Sequence, residues 1–580
     1  MNFKLRILAL FLAILMCLTS CEFLNGLMNP GQGQEQTTAS TEQTTTTEKP
    51  TTSTSTKEPE EEKFSRFDNS LTVAELTAKY TLKKDYYNET MTLLDTLLEV
   101  SKTAETIEEV DVIYDEFEER FYHIAQQMTI ATIIYYCNTT DYKATKRHTD
   151  VTNMFYDLQD KYTTTCRSIY QESPYKDELF ADWTEDEIQE LLDYDPIIVE
   201  LRKKIEELQV EYNALPEDEA WDDNVAEIYV QIVQTNQQIA AYYGYANYYD
   251  YAAANVYDRD YTREQLGGFR EYIIKHIFPY VEDLKNGSYP ASDMSKEDKD
   301  LANAFIGGAF DGMKENYLVD YLDSLEGTMG ESMRDMFANK NCIFASGNNS
   351  HSSAFCTYLY EDETPFCLFG RNGQSSTTMV HEIGHYYADK VNSDLGNYDL
   401  LETHSQGNEF LFLDYCKDVL PSGVHYAAQQ DQLFNMAITM MFSTIIDEFE
   451  QTIYTLESVE GFTSKEFDDI MIGICEKYGG EDRFGSLGLI SPCTYWRYVC
   501  IDNPVYYISY AVSAVASLEI GALASVDREA AHAAYKILVE DVTPEDGFLG
   551  ALELAGLGSP FAEETFIEIE AFLTKDNKSE

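Results

Sequence analysis

Residues 381–385 read His-Glu-Ile-Gly-His, which places two histidines four positions apart with an acid beside the first. On a helix, residues four apart lie on one face, so the imidazoles of His381 and His385 can bind one Zn²⁺ ion. Glu382 then lies where its carboxylate can take a proton from a water molecule held by the ion. The pattern predicts a catalytic zinc site, and the alternative is a surface helix with two solvated histidines.

A catalytic zinc ion usually has three protein ligands and an open position for water, so a third ligand is expected downstream. Residues 398–413 have the pattern of a second helix, on which Glu402 and Glu409 are two turns apart and share a face. One of them can bind the metal while the other orients a ligand histidine. His404 lies on another face and fits a packing or substrate-side role better. Solvated surface carboxylates are the alternative for both glutamates.

These residues resemble the M3 family of zinc metallopeptidases, the group of thimet oligopeptidase and oligoendopeptidase F. Family members carry His-Glu-x-x-His and then, on the next helix, Glu-x-x-Ser with a second Glu seven residues after the first, as residues 402–409 do here. The resemblance implies that Glu402 is the third zinc ligand and that Glu409 orients a ligand histidine. The interval from His385 to Glu402 is shorter than the family's interval of about two dozen residues. Glu409 lies at that longer interval and stays an alternative ligand.

A second resemblance lies at residues 503–510, Asn-Pro-Val-Tyr-Tyr-Ile-Ser-Tyr, which are similar to the family's Pro-Phe-Tyr-Tyr-x-x-Tyr element. The resemblance implies that Tyr507 and Tyr510 donate hydrogen bonds to the oxyanion formed during peptide hydrolysis. Ordinary packing is the alternative in a chain with 43 tyrosines. Family members commonly carry a histidine shortly before the proline, where this chain has Val499 and Cys500. Loss of one such donor costs about 3 kcal/mol, or roughly a hundredfold in rate.

The resemblance covers nearly all of the chain after residue 63. It implies a mainly α fold, a large helical ovoid with a deep substrate channel and a small β-sheet beside the His-Glu-x-x-His helix. The expected peptidase domain is residues 64–576, with a helical half at about 64–335 and a catalytic half at about 336–576. Capping boxes at Thr184, Thr262 and Thr463 mark helix starts. Residues 342–345, 354–360 and 366–369 have the pattern of short strands.

The chain is strongly acidic, with 102 acidic and 41 basic residues and a formal charge of −61. Such a surface repels nucleic acid and anionic lipid headgroups, so we expect no nucleic-acid partner. It could favour cationic substrates, although a solvated acidic shell is the simpler explanation. The cysteines after residue 63 show no Cys-x-x-Cys spacing, and we expect mostly buried free thiols and a monomeric protein.

The N-terminus has the pattern of a targeting segment. Lys4 and Arg6 precede an apolar run that is too short for a typical membrane span. Residues 18–21, Leu-Thr-Ser-Cys, resemble a bacterial lipobox, which predicts a signal peptide at residues 1–20 and lipidation of Cys21. An ordinary signal peptide cut nearby is the alternative. Residues 21–63, rich in Thr, Ser and Glu, predict a disordered stalk. We therefore expect an extracytoplasmic protein that is lipid-anchored to the cell membrane.

The hypothesis with the best support is zinc-dependent hydrolysis of peptide bonds in unfolded peptides, with peptides as the partners and one Zn²⁺ ion as the cofactor. A degenerate family member that binds peptides or metal with little catalysis is one alternative, because the expected histidine is missing near residue 500. A lipoprotein that captures ligands for uptake is another, although such a protein has no need for a His-Glu-x-x-His helix followed by a glutamate helix.

Overall fold

The computed structural model describes residues 69–216, 220–306, 312–393, 395–489 and 491–574. The residues for which the sequence predicts a signal peptide, a lipidated Cys21 and a stalk lie outside the described residues. Among the described residues, no helix combines the length and the apolar character that crossing a bilayer requires.

The first part of the chain is helical. Leu94, Phe117, Phe121 and Phe155 belong to a buried cluster that holds the early long helices together. The helices are α1 (Val73–Lys79), α2 (Lys84–Thr103), α3 (Ile107–Cys137), α4 (Tyr142–Glu172), α5 (Lys176–Leu179), α6 (Glu185–Asp193), α7 (Ile197–Asn213) and α8 (Trp221–Tyr242). They are followed by α9 (Tyr248–Asn255), α10 (Arg263–Tyr272), α11 (Val281–Ser288), α12 (Lys296–Ile306), α13 (Gly312–Ser324) and α14 (Gly327–Ala338).

A three-stranded sheet follows, made of β1 (Cys342–Phe344), β2 (Ala354–Leu359) and β3 (Thr364–Phe369). The strand order is β1-β3-β2, with β3 parallel to β1 and antiparallel to β2. Every residue of the central strand β3 is buried, and the Cys367 thiol lies 3.7 Å from the backbone carbonyl oxygen of Glu382. The sheet therefore lies directly beside the His-Glu-x-x-His helix.

The last part of the chain returns to helices. They are α15 (Ser376–Val391), α16 (Tyr398–Val419), α17 (Ser422–Thr455), α18 (Ser464–Cys475), α19 (Gly480–Ser486), α20 (Trp496–Val499), α21 (Ile508–Ala524), α22 (Arg528–Lys536), α23 (Gly547–Ala555) and α24 (Glu563–Leu573). Short π-helical turns lie at Ile273–Ile277 and Ile537–Asp541, and 3₁₀ turns at Phe278–Tyr280, Glu476–Tyr478, Pro492–Thr494 and Pro544–Asp546. Helix α21 is apolar on nearly every face, as expected of a helix enclosed by others.

The sequence-based fold class is confirmed: the protein is mainly helical, with a small sheet beside the predicted metal helix. The capping boxes at Thr184, Thr262 and Thr463 begin α6, α10 and α18 as expected. The prediction of mostly buried free thiols is also confirmed, because the cysteines of the described part are unpaired and all but Cys356 are buried.

Candidate active site

Helix α15 carries the His-Glu-x-x-His residues and begins with a side-chain cap, because the Ser375 hydroxyl accepts a hydrogen bond from the backbone N–H of Thr378 at 3.0 Å. His381 and His385 lie one turn apart, with ring centroids separated by 5.0 Å. Their side chains are only 9% and 14% exposed, respectively. The alternative of two solvated surface histidines is therefore wrong.

Helices α15 and α16 are in backbone contact at Gly384. A Cβ atom placed on this glycine would lie 2.6 Å from the carbonyl oxygen of His404 and 2.8 Å from the Cα of Ser405. Only a glycine allows the two helices to approach so closely. The amide of Asn408 on α16 also donates to the Val380 carbonyl on α15 at 2.7 Å. This crossing brings the glutamates of α16 to the histidines of α15.

The structure brings the three predicted ligands together. The Nε2 of His381 lies 3.5 Å from Oε2 of Glu402, and the Nε2 of His385 lies 3.8 Å from the same oxygen. One ligand atom from each of the three residues lies within 4.8 Å of the other two. Two ligands of a tetrahedral zinc ion, with bonds of about 2.0–2.1 Å, lie about 3.3 Å apart. The spacing of the donor atoms and their type, two imidazoles and one carboxylate, therefore fit zinc.

Glu409 contacts the other ring nitrogen of His381. Its Oε1 lies 2.6 Å from Nδ1 of His381, and its Oε2 accepts a hydrogen bond from the side-chain amide of Gln432 on α17. A proton on Nδ1 that is donated to Glu409 leaves the Nε2 lone pair directed toward Glu402. Gln432 was not identified from the sequence, and nothing local in α17 distinguishes it from other polar helix residues.

Tyr506 contacts the cluster directly, because its hydroxyl donates a hydrogen bond to Oε1 of Glu402. The Ser405 hydroxyl donates to the other carboxylate oxygen at 3.2 Å. Tyr507 and Tyr510, the two predicted phenols, are buried, and their ring centroids lie 6.3 and 5.1 Å from that of Tyr506. Tyr506 belongs to the tyrosine-containing element recognised in the sequence, but that element alone does not distinguish it from its neighbours.

The backbone that presents Tyr506 is strained. Val505 has φ of +70°, a conformation that costs a non-glycine residue about 1–2 kcal/mol. Its N–H donates to Oε1 of Glu450 at 2.8 Å, and its carbonyl accepts from Nη2 of Arg259 at 2.6 Å. The Tyr257 hydroxyl donates to the preceding carbonyl, that of Pro504, at 2.7 Å. These buried contacts hold the strained turn in place.

Arg259 also links this turn to the glutamate helix. Its Nε lies 4.0 Å from Oδ1 of Asp399, and both side chains are fully buried. Asp399 lies in the first turn of α16, one turn before Glu402. The guanidinium therefore holds the Tyr506 turn and the beginning of α16 in a single buried cluster.

The protonation states of the cluster suit a metal. Burial lowers the pKa of His385 to about 3, so its imidazole is neutral at neutral pH. Burial acts to raise the pKa of Glu402, but its contacts with His381 and His385 and the hydrogen bond from Tyr506 outweigh burial and lower the pKa below its usual value. Neutral imidazole and ionised carboxylate are the forms that bind zinc.

His404 lies on another face of α16, as predicted. It is fully buried, and its Nε2 donates to the Leu538 carbonyl at 2.9 Å, which gives it a packing role. Val499 and Cys500, at the place of the family's histidine, are buried as well. Cys500 lies beside Tyr229, and burial raises the pKa of its thiol. Neither side chain supplies the hydrogen-bond donor that a histidine would.

Neither a family model nor a curated protein sequence matches the chain. Solved structures do match. PZ peptidase A, crystallised with an inhibitor, is 18% identical with a TM-score of 0.65, covering 85% of this chain and 98% of that chain. A Bacillus anthracis str. Ames protein provisionally named oligoendopeptidase F is 19% identical with a TM-score of 0.64, covering 86% and 98%. The chain has the oligoendopeptidase fold. Oligoendopeptidase F from Enterococcus faecium is 14% identical with a TM-score of 0.53, covering 85% and 97%.

Proposed function

We propose that the protein is a zinc-dependent oligoendopeptidase that hydrolyses peptide bonds in unfolded peptides. The observation that carries the proposal is the buried cluster of His381, His385 and Glu402, whose ligand atoms all lie within 4.8 Å of one another. The likeness of the fold to PZ peptidase A and to oligoendopeptidase F supports a peptidase over other zinc hydrolases.

A zinc ion bound here would supply a Lewis acid that polarises the scissile carbonyl and lowers the pKa of a water molecule. Glu382 follows the first ligand on α15, and its buried carboxylate takes the proton of the attacking water and passes it to the leaving amine. Tyr507 and Tyr510 donate hydrogen bonds to the developing oxyanion. Tyr506 has a different task, because its hydroxyl is already donated to Glu402.

The general base is tested with Glu382→Gln. This variant keeps the shape of the side chain, so it should retain one zinc ion per chain while peptide turnover falls about 10²–10⁴-fold. Zinc content is measured by elemental analysis and cleavage with a mixed library of fluorogenic peptides. Glu457→Gln, at an exposed position after α17, is the matched control and should behave like the unaltered protein. Zinc-loaded protein that binds peptides without cleaving any would instead identify the degenerate alternative.

Within this proposal, Glu402 is the third ligand and Glu409 orients His381. Glu402→Ala should abolish zinc binding. Glu409→Ala should weaken it by about 10–100-fold, as is usual when the partner of a ligand histidine is removed. Zinc affinity is measured by competition with a chelator. Complete zinc loss from Glu409→Ala, with zinc retained by Glu402→Ala, would reverse the assignment.

We also propose that the protein is anchored to the outer face of the cell membrane through a lipid on Cys21. The support is the apolar run followed by Leu-Thr-Ser-Cys at residues 18–21 and the polar segment after it. Mass spectrometry of the mature N-terminus should find a lipidated cysteine, and Cys21→Ala should move the protein from the membrane fraction to the soluble fraction. A mature chain that begins elsewhere, without lipid, would contradict the proposal.

A further inference from the structure

A cavity of about 70 Å³ lies between the N-terminal helices and the segment that leads to Tyr506. Its walls come from α3, α4, α7 and the residues just after α20. The cavity is therefore built from both halves of the chain. The residues of its wall that matter for its chemistry are Tyr135, His148, Thr152, Glu206, Gln209 and Asp502.

The charged side chains that line this cavity are both acidic. Glu206 and Asp502 both line it, and among the described residues that form its wall there is no lysine or arginine. His148 does not offset the two carboxylates, because burial lowers its pKa to about 4 and its ring is neutral at neutral pH. Both carboxylates lie close enough to Tyr135 to act with burial in raising the pKa of that phenol to about 12. Burial raises the pKa of the Glu206 carboxyl to about 7, so a cationic group in the cavity would lie beside Asp502 and would favour the ionised form of Glu206.

The wall also contains an unused polar atom. Thr152 is 5% exposed, and its hydroxyl has no hydrogen-bond partner within the described part of the chain. A buried hydroxyl without a partner costs about 1–3 kcal/mol. An ammonium or guanidinium group can donate a hydrogen bond to this oxygen, and its other N–H groups can donate to the carboxylates. The polar atoms of the wall thus point to a cation rather than to an apolar ligand.

The cavity is close to the candidate metal site along the chain. Asp502 precedes Tyr506 by four residues, and Tyr506 donates to the ligand Glu402. Four residues span at most about 14 Å. The side-chain amide of Gln209 donates to the carbonyls of Ile501 at 3.2 Å and Asp502 at 2.9 Å, which joins the cavity wall to this segment. The cavity and the candidate metal site are therefore joined by one short segment of the chain.

We propose that this cavity is a substrate subsite that binds a cationic group of the peptide, either a basic side chain or the N-terminal amine, between Glu206 and Asp502. The proposal rests on the proposed peptidase function. It assigns a preference for a cationic group to one position of the peptide. It also gives a role to two carboxylates that take no part in the proposed hydrolysis.

The test measures binding, so that it does not depend on turnover. Fluorescent nine-residue peptides, each with a single arginine at successive positions, are titrated into zinc-loaded Glu382→Gln protein beside the same peptides with citrulline. Citrulline keeps the shape of arginine and removes its charge. We expect arginine to bind at least about tenfold tighter at one position, a difference of about 1.4 kcal/mol. N-acetylated and free peptides distinguish the side chain from the N-terminal amine.

Variants of the two carboxylates test whether the preference for arginine depends on this cavity. Adding Glu206→Gln or Asp502→Asn should remove the preference for arginine. Glu211→Gln, exposed on the same helix as Glu206, should retain it. Asp502 is exposed, so its variant tests the subsite even if Glu206→Gln folds poorly. Equal binding of charged peptides and their neutral counterparts at every position, or a preference that survives both substitutions, would overturn the subsite.

The experiments distinguish a failure of the subsite proposal from a failure of the peptidase proposal. If the unaltered protein cleaves peptides but none of the charged groups binds tighter than its neutral counterpart, the subsite is wrong and the peptidase proposal stands. If no peptide is cleaved but the arginine preference appears and depends on Glu206 and Asp502, the cavity binds cations and the peptidase proposal is wrong.

Discussion

The contact between α15 and α16 predicts the effect of Gly384→Ala. The new Cβ would lie 2.6 Å from the His404 carbonyl oxygen and 2.8 Å from the Ser405 Cα, where ordinary contacts begin at 3.4 Å. Both obstacles are backbone atoms, so no side-chain rotation relieves the clash. To restore ordinary contacts, the helices must separate by about 0.6–0.8 Å. This shift exceeds the tolerance of about 0.5 Å for a metal-binding arrangement.

The energy of this change has two parts. Overpacking costs about 1–3 kcal/mol, while replacing a glycine inside a helix returns about 1 kcal/mol. The expected net loss in the free energy of unfolding is therefore about 0–2 kcal/mol. Zinc affinity should fall by about 10–100-fold, as when a residue that orients a ligand is lost, because the movement separates Glu402 from His381 and His385. A small loss of stability with a large loss of zinc affinity is the expected signature.

Gly473→Ala is the matched control. Gly473 lies inside α18 and is exposed, and a Cβ placed on it would meet nothing within 4 Å. This variant should gain up to about 1 kcal/mol of stability and leave zinc affinity unchanged. Urea unfolding of both metal-free variants and chelator competition give the two quantities. If Gly384→Ala matches Gly473→Ala in both, the two helices do not touch at Gly384 and our account of the metal geometry is refuted.

Three further changes test other parts of the site. Tyr506→Phe should weaken zinc binding by about tenfold or more without unfolding the chain, because it removes only the hydrogen bond to Glu402; unchanged zinc affinity would exclude that role. Arg259→Met should lower the free energy of unfolding by about 3–5 kcal/mol, since it leaves Asp399 buried without its charge partner; a loss below about 1 kcal/mol in urea unfolding would contradict this. His148 has a native pKa of about 4 and an unfolded pKa of about 6.5, so its stabilising contribution is complete above pH 6.5 and is lost as the pH falls toward 4. The difference between the unaltered protein and His148→Gln in urea unfolding should therefore change by about 3 kcal/mol over this range, and a constant difference would refute the buried neutral state.

Local sequence patterns were sufficient to predict the helices and two of the candidate ligands. The spacing of His381 and His385 implies a shared face wherever a helix forms, and capping boxes such as that at Thr184 act within four residues. The short strands before the metal helix were also recognisable, because their residues differ in composition from the helical regions around them.

The roles of Glu402 and Glu409 could not be separated in this way. Two glutamates on one face of a helix, seven residues apart, have equivalent local surroundings. The crossing at Gly384 places Glu402 against the Nε2 atoms of both histidines and Glu409 against the Nδ1 of His381. The difference between them arises only from the approach of α15 to α16.

The sequence alone determined the helical class, the helix that carries His381 and His385 and the candidate ligands, because periodicity and helix capping depend on residues that are close along the chain. Only the tertiary structure decided that Tyr506, rather than Tyr507 or Tyr510, donates to Glu402. That contact depends on a strained Val505 held by Arg259 and Glu450, which lie far from it in the chain. No local pattern reports such a contact, because its stability comes from buried groups that meet only after folding.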